Sequence, residues 1–349
     1  MNTNLILPPA VRPASGRNRR VVSWPAWGWS FIGVLAVWAL IIIARPGAPF
    51  DPIVQSLSLA PFLVLVALGQ MLVITLGPGN IDVSVGTIIS MSSYVSVAVG
   101  ASAGPLVGVL AAVIAGAVAA LCSVLAILLL RVPPIIATLA TSLIVSSATL
   151  LLADASRNSA DASLRVFVNA KLLGVPIIAI LVVAITVAIA LMLRHTRFGL
   201  SVIAVGQSAR AAERSGIKVW LVTALAYLAS GTFAGLAGGL LAAFISPSTV
   251  LGTSYMLDSI AVVVIGGTLI SGGRAVPTGA WMGALFFVLL SGLLNLVGWS
   301  IGAQNILKGV LVVAVVIISA TASGTAKSSF DRSLTFFTSR TSIKETRNG

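Results

Sequence analysis

Charged side chains are scarce in this chain of 349 residues, of which only 8% are Asp, Glu, Lys or Arg. Soluble domains carry about 25% charged residues, and hydrophobic residues make up 58% of this chain, so the composition excludes a water-soluble globule. The apolar runs approach the ~20 residues that a helix needs to cross a bilayer, whereas barrel strands would show alternating segments of ~10 residues. The sequence therefore predicts an all-α polytopic membrane protein.

Chemically reactive side chains are scarcer still. The single cysteine, Cys122, and the single histidine, His195, exclude an internal disulfide and a multi-histidine metal site. No nucleophile has histidine and acid partners, and the GxxxxGK[ST] phosphate loop is missing, so we expect no enzyme, cofactor or metal, and any ATP must bind to another chain. The net charge of +13 lies in tails and short loops, which favours membrane orientation over nucleic acid as its purpose.

Ten apolar stretches alternate with polar segments and predict about ten transmembrane helices. They cover residues 24–44, 53–76, 83–100, 105–130, 134–153, 175–193, 220–245, 257–271, 277–296 and 301–320. The first is longer than the 7–15-residue core of a cleaved signal peptide, so we expect it to be retained. Because Lys and Arg mark cytoplasmic span ends, the charges place both termini in the cytoplasm. Among the segments rich in Lys and Arg, only the mixed-charge loop of residues 154–171 falls on the outer side.

The same pattern divides the chain into three parts. We expect residues 1–23 to be a disordered cytoplasmic tail, residues 24–320 to form the transmembrane domain, and residues 321–349 to be a second disordered cytoplasmic tail.

Two acids lie within apolar surroundings. Asp82 lies at a helix break rich in glycine, and Asp258 begins the short stretch 257–271. Acids inside a membrane are costly, so a function is the first hypothesis for them. The alternative for Asp82 is a helix cap that accepts backbone N–H groups; for Asp258, at an outer helix end, capping is the favoured interpretation. Four residues are candidates for a translocation path: Asn80, Asp82, Ser84 and Asp258.

Two further patterns concern contacts between helices or proteins. Residues 194–218 form the one long polar interruption of the second half of the chain, where either a partner protein binds or the charges only set topology. A GxxxGxxxG row, Gly231, Gly235 and Gly239, predicts close helix packing, with the lining of a solute path as the alternative.

Seven motifs follow one another over roughly residues 60–320. They lie at 79–86 (G-N-I-D-V-S-V-G), 132–139 (V-P-P-I-I-A-T-L), 196–217, 230–238 (S-G-T-F-A-G-L-A-G), 257–268 (L-D-S-I-A-V-V-V-I-G-G-T), 271–274 and 304–309. In this order they resemble the motifs of ribose-type ABC importer permeases, which are related to permeases for branched-chain amino acids. The chain departs from the pattern at Asn80, where the family usually has Gly, at Gln207-Ser208, which replaces G-N, and at Ala275.

The resemblance implies a permease subunit that forms the path for a monosaccharide, ribose-like or related, in the bacterial inner membrane. Two permease subunits, identical or different, would form the path among membrane lipid. A cytoplasmic ATP-binding subunit would drive transport, and a periplasmic solute-binding protein would deliver the cargo. Residues 196–217 would then be the coupling loop to the ATPase, with Thr196, Gly199, Gly206, Ala211, Ala212, Glu213 and Gly216 as its motif residues. Of these, Ala211, Ala212, Glu213 and Gly216 would contact the ATPase.

Other functions stay open at this point. A branched-chain amino acid is the main alternative solute. An ion-coupled secondary transporter would use Asp82 and Asp258 as ion-binding acids. A membrane-embedded enzyme acting on lipid or polyprenyl substrates is disfavoured by the shortage of catalytic side chains.

Overall fold

The computed structural model describes residues 25–47, 49–155 and 160–322, and the predicted tails lie outside this part of the chain except for residues 321–322. The elements are α1 Gly28–Ala44, α2 Asp51–Thr75, α3 Val85–Ala103, α4 Pro105–Leu128, α5 Pro134–Ala155, α6 Ala162–Asn169, β1 Lys171–Leu172, β2 Val175–Pro176, α7 Ile177–His195, α8 Arg197–Gln207, α9 Ala209–Arg214, α10 Val219–Phe244, α11 Thr253–Ile265, α12 Pro277–Leu296 and α13 Ile301–Ala322. The two short strands pair antiparallel as a hairpin.

Long apolar helices dominate the described residues. Seven of them, α2, α3, α4, α5, α7, α10 and α12, are long and apolar enough to cross a membrane. Three shorter apolar helices, α1, α11 and the Ile301–Ala314 part of α13, lie on the remaining predicted stretches. The all-α, multi-pass class is thereby confirmed, whereas the count of ten crossings and their orientation stay predictions.

Helix α2 forms the centre of the bundle. Every side chain from Ala60 to Thr75 is buried, and the helix packs against α7, α10, α11 and α12. A helix that is buried on all sides has no solvent-facing stripe on which to place polar groups. Its buried Gln70 and Thr75 therefore need hydrogen-bond partners within the protein.

Small residues bring α4 and α10 into close contact. The predicted packing glycines take part, since Gly231, Gly235 and Gly239 face Ala112, Gly116 and Ala120. A Cβ atom on Gly116 would collide with the carbonyl oxygen of Gly231 and lie 2.9 Å from the Cα of Gly235. Such contacts bring dispersion attraction between backbones, which holds helices together where lipid supplies no hydrophobic driving force.

The capping interpretation of Asp258 is wrong. Helix α11 begins at Thr253, earlier than the predicted stretch, and Gly252 occupies the position before its first turn. Asp258 therefore lies inside the helix, where its carboxylate pairs with Lys308 of α13. The prediction failed because the polar residues Thr253 and Ser254 read as loop, although they continue the helix beyond the apolar run.

The glycine contact makes a stability prediction. We expect Gly116→Ala to lower the thermal unfolding midpoint of the detergent-solubilised protein, because overpacking a close contact costs about 1–3 kcal/mol. Gly292→Ala in α12 is the matched control, since a Cβ atom there meets nothing within 4 Å and alanine favours helices. Equal midpoints for the two variants would contradict the packing described here.

Candidate functional site

The chain leaves helical geometry between α2 and α3, at residues 76–84. Gly77 and Gly79 adopt φ angles of +117° and +81°, which side chains other than glycine rarely tolerate. Asp82 and Ser84 are buried, with 1% and 0% of their surfaces exposed, and Asn80 is half-buried. We call residues 76–84 the broken-helix junction. Within a membrane bundle, the N–H and C=O groups of non-helical backbone need hydrogen-bond partners from the surrounding protein.

Both oxygens of the Asp82 carboxylate accept hydrogen bonds from groups of the protein. Its Oδ1 accepts hydrogen bonds from the Ser84 N–H at 3.0 Å and the Ser84 hydroxyl at 2.6 Å. Its Oδ2 accepts one from the Ser230 hydroxyl of α10 at 2.8 Å. Helix α3 begins at Val85 with Ser84 at its N-cap position and no side-chain cap, so the alternative that Asp82 caps this helix is wrong. The carboxylate instead closes a local turn onto Ser84 and, through Ser230, links that turn to a distant helix.

The backbone of Asp82 is held as firmly as its side chain. With its amide in the orientation that these neighbours require, Gln70 of α2 donates to the Asp82 carbonyl and accepts from the Asp82 N–H, both at 3.2 Å. Thr138 of α5 accepts the Val83 N–H at 3.2 Å. The Tyr227 hydroxyl of α10 donates to the Asn80 Oδ1 at 3.3 Å. The junction therefore joins α2, α5 and α10 at the start of α3.

A pair of short helices, α8 and α9, lies in the predicted coupling loop. The Thr196 hydroxyl accepts the Gly199 N–H at 3.1 Å and caps α8. The Ser208 hydroxyl accepts the Ala211 N–H at 3.3 Å and caps α9. Gly216, with φ +83°, lets the chain turn from α9 towards α10.

The end of α8 lies directly on the end of α2. The backbone of Gly206 packs so closely against the Thr75 carbonyl and Gly273 that no Cβ atom would fit. The Gly273 N–H donates to the same Thr75 carbonyl at 2.9 Å. Gly272 in turn lies against Gly77 of the junction. Backbone contacts thus connect the coupling helices to the broken-helix junction.

The predicted coupling residues fall into two groups. Four are exposed: Thr196, Ala211, Glu213 and Gly216. The other three, Gly199, Gly206 and Ala212, pack inside the chain. Ala212 is only 5% exposed, so it anchors α9 and leaves surface contacts to its exposed neighbours.

Asp258, the remaining candidate, shares no hydrogen-bond partner with Asp82. Its Oδ2 accepts from the Lys308 Nζ at 3.0 Å, and both side chains are 14% exposed. The structure thus brings Asn80, Asp82 and Ser84 together and places Asp258 at a separate ion pair. The functional candidates that the sequence did not single out are Lys308, Gln70, Thr138, Tyr227 and Ser230. Of these, Lys308, Thr138 and Ser230 stand within the family motifs, which was the available signal.

Because both carboxylate oxygens of Asp82 accept hydrogen bonds, we expect different substitutions at position 82 to lower the unfolding midpoint to different extents. Asp82→Leu leaves the Ser84 N–H and the Ser230 hydroxyl without acceptors, at about 1–3 kcal/mol each, so we expect a markedly lower unfolding midpoint in detergent. Asp82→Asn keeps one acceptor oxygen and should fall between this variant and the unsubstituted protein. Asp51→Asn, at an exposed acid, is the control. An unchanged midpoint for Asp82→Leu would show that the junction does not depend on the carboxylate.

The chain is similar to import permeases along most of its length. It is 35% identical over 295 residues to the ribose import permease protein RbsC of Bacillus subtilis, an alignment that covers 82% of this chain and 91% of that protein. It is 30% identical over 312 residues to the ribose import permease protein RbsC of Escherichia coli, covering 87% and 97%. It is 29% identical over 296 residues to the autoinducer 2 import system permease protein LsrC of Yersinia enterocolitica, covering 83% and 81%.

No solved structure shows a significant match to the chain. Residues 52–320 match the family described as branched-chain amino acid transport system / permease component. This range holds the broken-helix junction, the coupling helices and the Asp258–Lys308 pair. The chain therefore belongs to this family and is a multi-pass permease component of an ABC import system.

Proposed function

We propose that this chain forms the translocation path for a monosaccharide in a binding-protein-dependent ABC importer, with ribose as the first solute to test. One observation carries the proposal: the similarity to two ribose import permeases extends over more than four-fifths of this chain and nine-tenths of each of those proteins. If the proteins shared only the core of a fold, the alignment would not reach the ends of the two ribose permeases. The motifs at residues 79–86 and 257–268 also resemble those of ribose-type permeases more than those of permeases for branched-chain amino acids.

In this proposal the permease crosses the membrane ten times, with both termini in the cytoplasm and short tails at residues 1–23 and 321–349. The arrangement of basic residues supports the orientation. Arg194 at the end of α7 and Arg274 before α12 line one depression near α8, so they lie at the same end of the bundle as the coupling helices. A cytoplasmic location of that end satisfies the positive-inside rule.

The exposed surface of α8 and α9 is the docking site for a cytoplasmic ATP-binding subunit. Closure of the ATPase would push on this surface, and the contacts of Gly206 with Thr75 and Gly273 would pass the movement to the end of α2. From there it reaches the broken-helix junction and the helices bonded to it. Backbone contacts transmit such a movement well because they do not deform as flexible side chains do.

The remaining partners follow from the type of importer. A periplasmic solute-binding protein delivers the sugar at the opposite end, and a second permease subunit, a copy of this chain or a related one, completes the path within the lipid. The chain itself performs no chemistry, so the free energy for transport comes from ATP hydrolysis on the partner.

A branched-chain amino acid is the second candidate solute, because the matching family carries that description. Ion-coupled transport has no such support. Both carboxylate oxygens of Asp82 accept hydrogen bonds from Ser84 and Ser230. The charge of Asp258 is balanced by that of Lys308, so neither acid is the unpaired negative charge that an ion-coupling site requires.

Reconstitution tests the proposal. Vesicles that contain this permease together with its ATPase and its solute-binding protein should accumulate radiolabelled ribose when ATP is supplied inside. Omission of either partner should abolish accumulation, because neither energy nor cargo would reach the permease. Accumulation of valine but not ribose would transfer the function to the second candidate, and uptake without the ATPase would end the proposal.

The docking surface predicts the effect of a bulky residue at the end of α9. We expect Gly216→Trp to reduce co-purification of the ATPase and to abolish uptake, because the indole obstructs the surface beside Glu213. Gly174→Trp in the β-hairpin turn is a closely matched control: the two glycines have φ angles of +83° and +82°, and neither has a neighbour within 4 Å. Both variants carry the same backbone strain, so equal loss of ATPase binding would contradict the assigned surface.

A further inference from the structure

A cavity of about 410 Å³ lies between α1, α2, α11, α12 and α13. Much of its wall is apolar, with hydrogen-bonding side chains placed among these residues. The polar lining includes Gln55, Ser254, Tyr255, Asp258, Asn295 and Lys308. A small number of convergent polar groups in a mostly apolar wall is typical of a small-molecule site.

The Asp258–Lys308 pair has hydrogen-bonding capacity left over on the cavity side. Lys308 uses one of its three N–H donors on the Oδ2 of Asp258 at 3.0 Å. Within the described residues, the Oδ1 of Asp258 accepts no hydrogen bond, whereas both carboxylate oxygens of Asp82 do. The pair therefore presents an acceptor and donors side by side with no net charge.

Aromatic surface accompanies the polar groups. The Lys308 Nζ lies 6.0 Å from the centre of the Phe287 ring, and both Phe287 and Tyr255 line the cavity. A sugar ring has apolar C–H faces and a rim of hydroxyl groups that both donate and accept. Phe287 is only 1% exposed, so half-buried Tyr255 is the ring that can meet the C–H face. The neutral acceptor–donor pair complements the hydroxyl groups.

A purely structural role explains the pair less well. Moving two charges out of water is costly, and well-packed apolar residues of similar volume often hold helices together equally well or better. Ionisable residues inside membrane bundles commonly mark substrate paths. We propose that this cavity is a binding site for a neutral, polyhydroxylated solute of monosaccharide size, with Asp258 accepting and Lys308 donating hydrogen bonds to its hydroxyl groups.

The location of the cavity agrees with a handover site. Arg45 at the end of α1 and Asp51 at the start of α2 line it, and these residues lie at the opposite end of α2 from the contact with α8. In the proposed orientation this end faces the periplasm, where a solute-binding protein releases its cargo. The inference in this form rests on the proposed function.

Protection from alkylation tests the site without the solute-binding protein. The background is the assembled permease–ATPase complex carrying Cys122→Ala, which removes the chain's single cysteine. Ser254→Cys places a thiol on the cavity wall one helical turn from Asp258, and Ser102→Cys, exposed at the end of α3 outside the cavity, is the control. A membrane-impermeant maleimide reports the labelling rate at each position.

We expect D-ribose to slow labelling at position 254 by a factor of one plus the ribose concentration over its Kd, about five-fold at about four times that Kd. Labelling at position 102 should not change. In the background of Asp258→Leu with Lys308→Met the protection should disappear, while the complex still assembles and hydrolyses ATP. A reversed pair, Asp258→Lys with Lys308→Asp, keeps the ion pair but exchanges the acceptor and the donor, so the complex should assemble without showing protection.

Each contrary result overturns a different statement. Protection by L-valine instead of ribose would assign the pair to a zwitterionic solute. Protection that survives the apolar double variant, or none at all in a complex that imports ribose with its binding protein, would show that the pair only joins α11 to α13. Failure of ribose import in the reconstituted system would overturn the proposed function, independently of the labelling result.

Discussion

The buried carboxylate of Asp82 is the constraint on which the centre of this protein depends. A charge and a stretch of non-helical backbone inside an apolar bundle are tolerable only when each polar atom has a partner. Here the partners come from separate helices: Gln70 from α2, Thr138 from α5 and Ser230 from α10. Their positions are thereby fixed relative to one another, and no single hydrophobic contact would specify that arrangement so narrowly.

Close backbone contacts extend this fixed arrangement outward. Glycine at position 206 brings α8 against the end of α2, and glycines at positions 116, 231 and 235 do the same for α4 and α10. A contact between backbones has no rotamers to absorb a displacement. The path from the coupling helices to the junction is therefore short and stiff, which is the property that a permease driven by an external ATPase needs.

The sequence predicted the helices well, because an apolar run of about 20 residues has one stable conformation in a bilayer. Each of the ten predicted stretches overlaps a helix of the structure. It predicted helix ends poorly where polar residues continue a helix, as at the start of α11. The division of the coupling loop into two capped helices was also missed, although Ser208 before Ala209 is a recognisable capping residue.

Site chemistry was harder to predict because its partners are distant in the sequence. Asp258 and Lys308 are 50 residues apart, and Asp82 and Ser230 are 148 apart. Periodicity reports which face of a helix is apolar, but it does not report which helices are neighbours. The resemblance to a family placed several of these residues in motifs, yet motifs alone do not pair Lys308 with Asp258.

The two intramembrane acids show why position in a membrane span does not by itself assign a function. Both satisfy the general expectation that such acids are functional, and the sequence treated them alike as candidates for the path. Asp82 has both oxygens occupied by the protein, so it has no capacity to bind a passing solute without breaking the junction. Asp258 keeps one oxygen available beside a cavity. The state of hydrogen-bond satisfaction, rather than depth in the membrane, therefore separates a structural acid from one that can bind a solute.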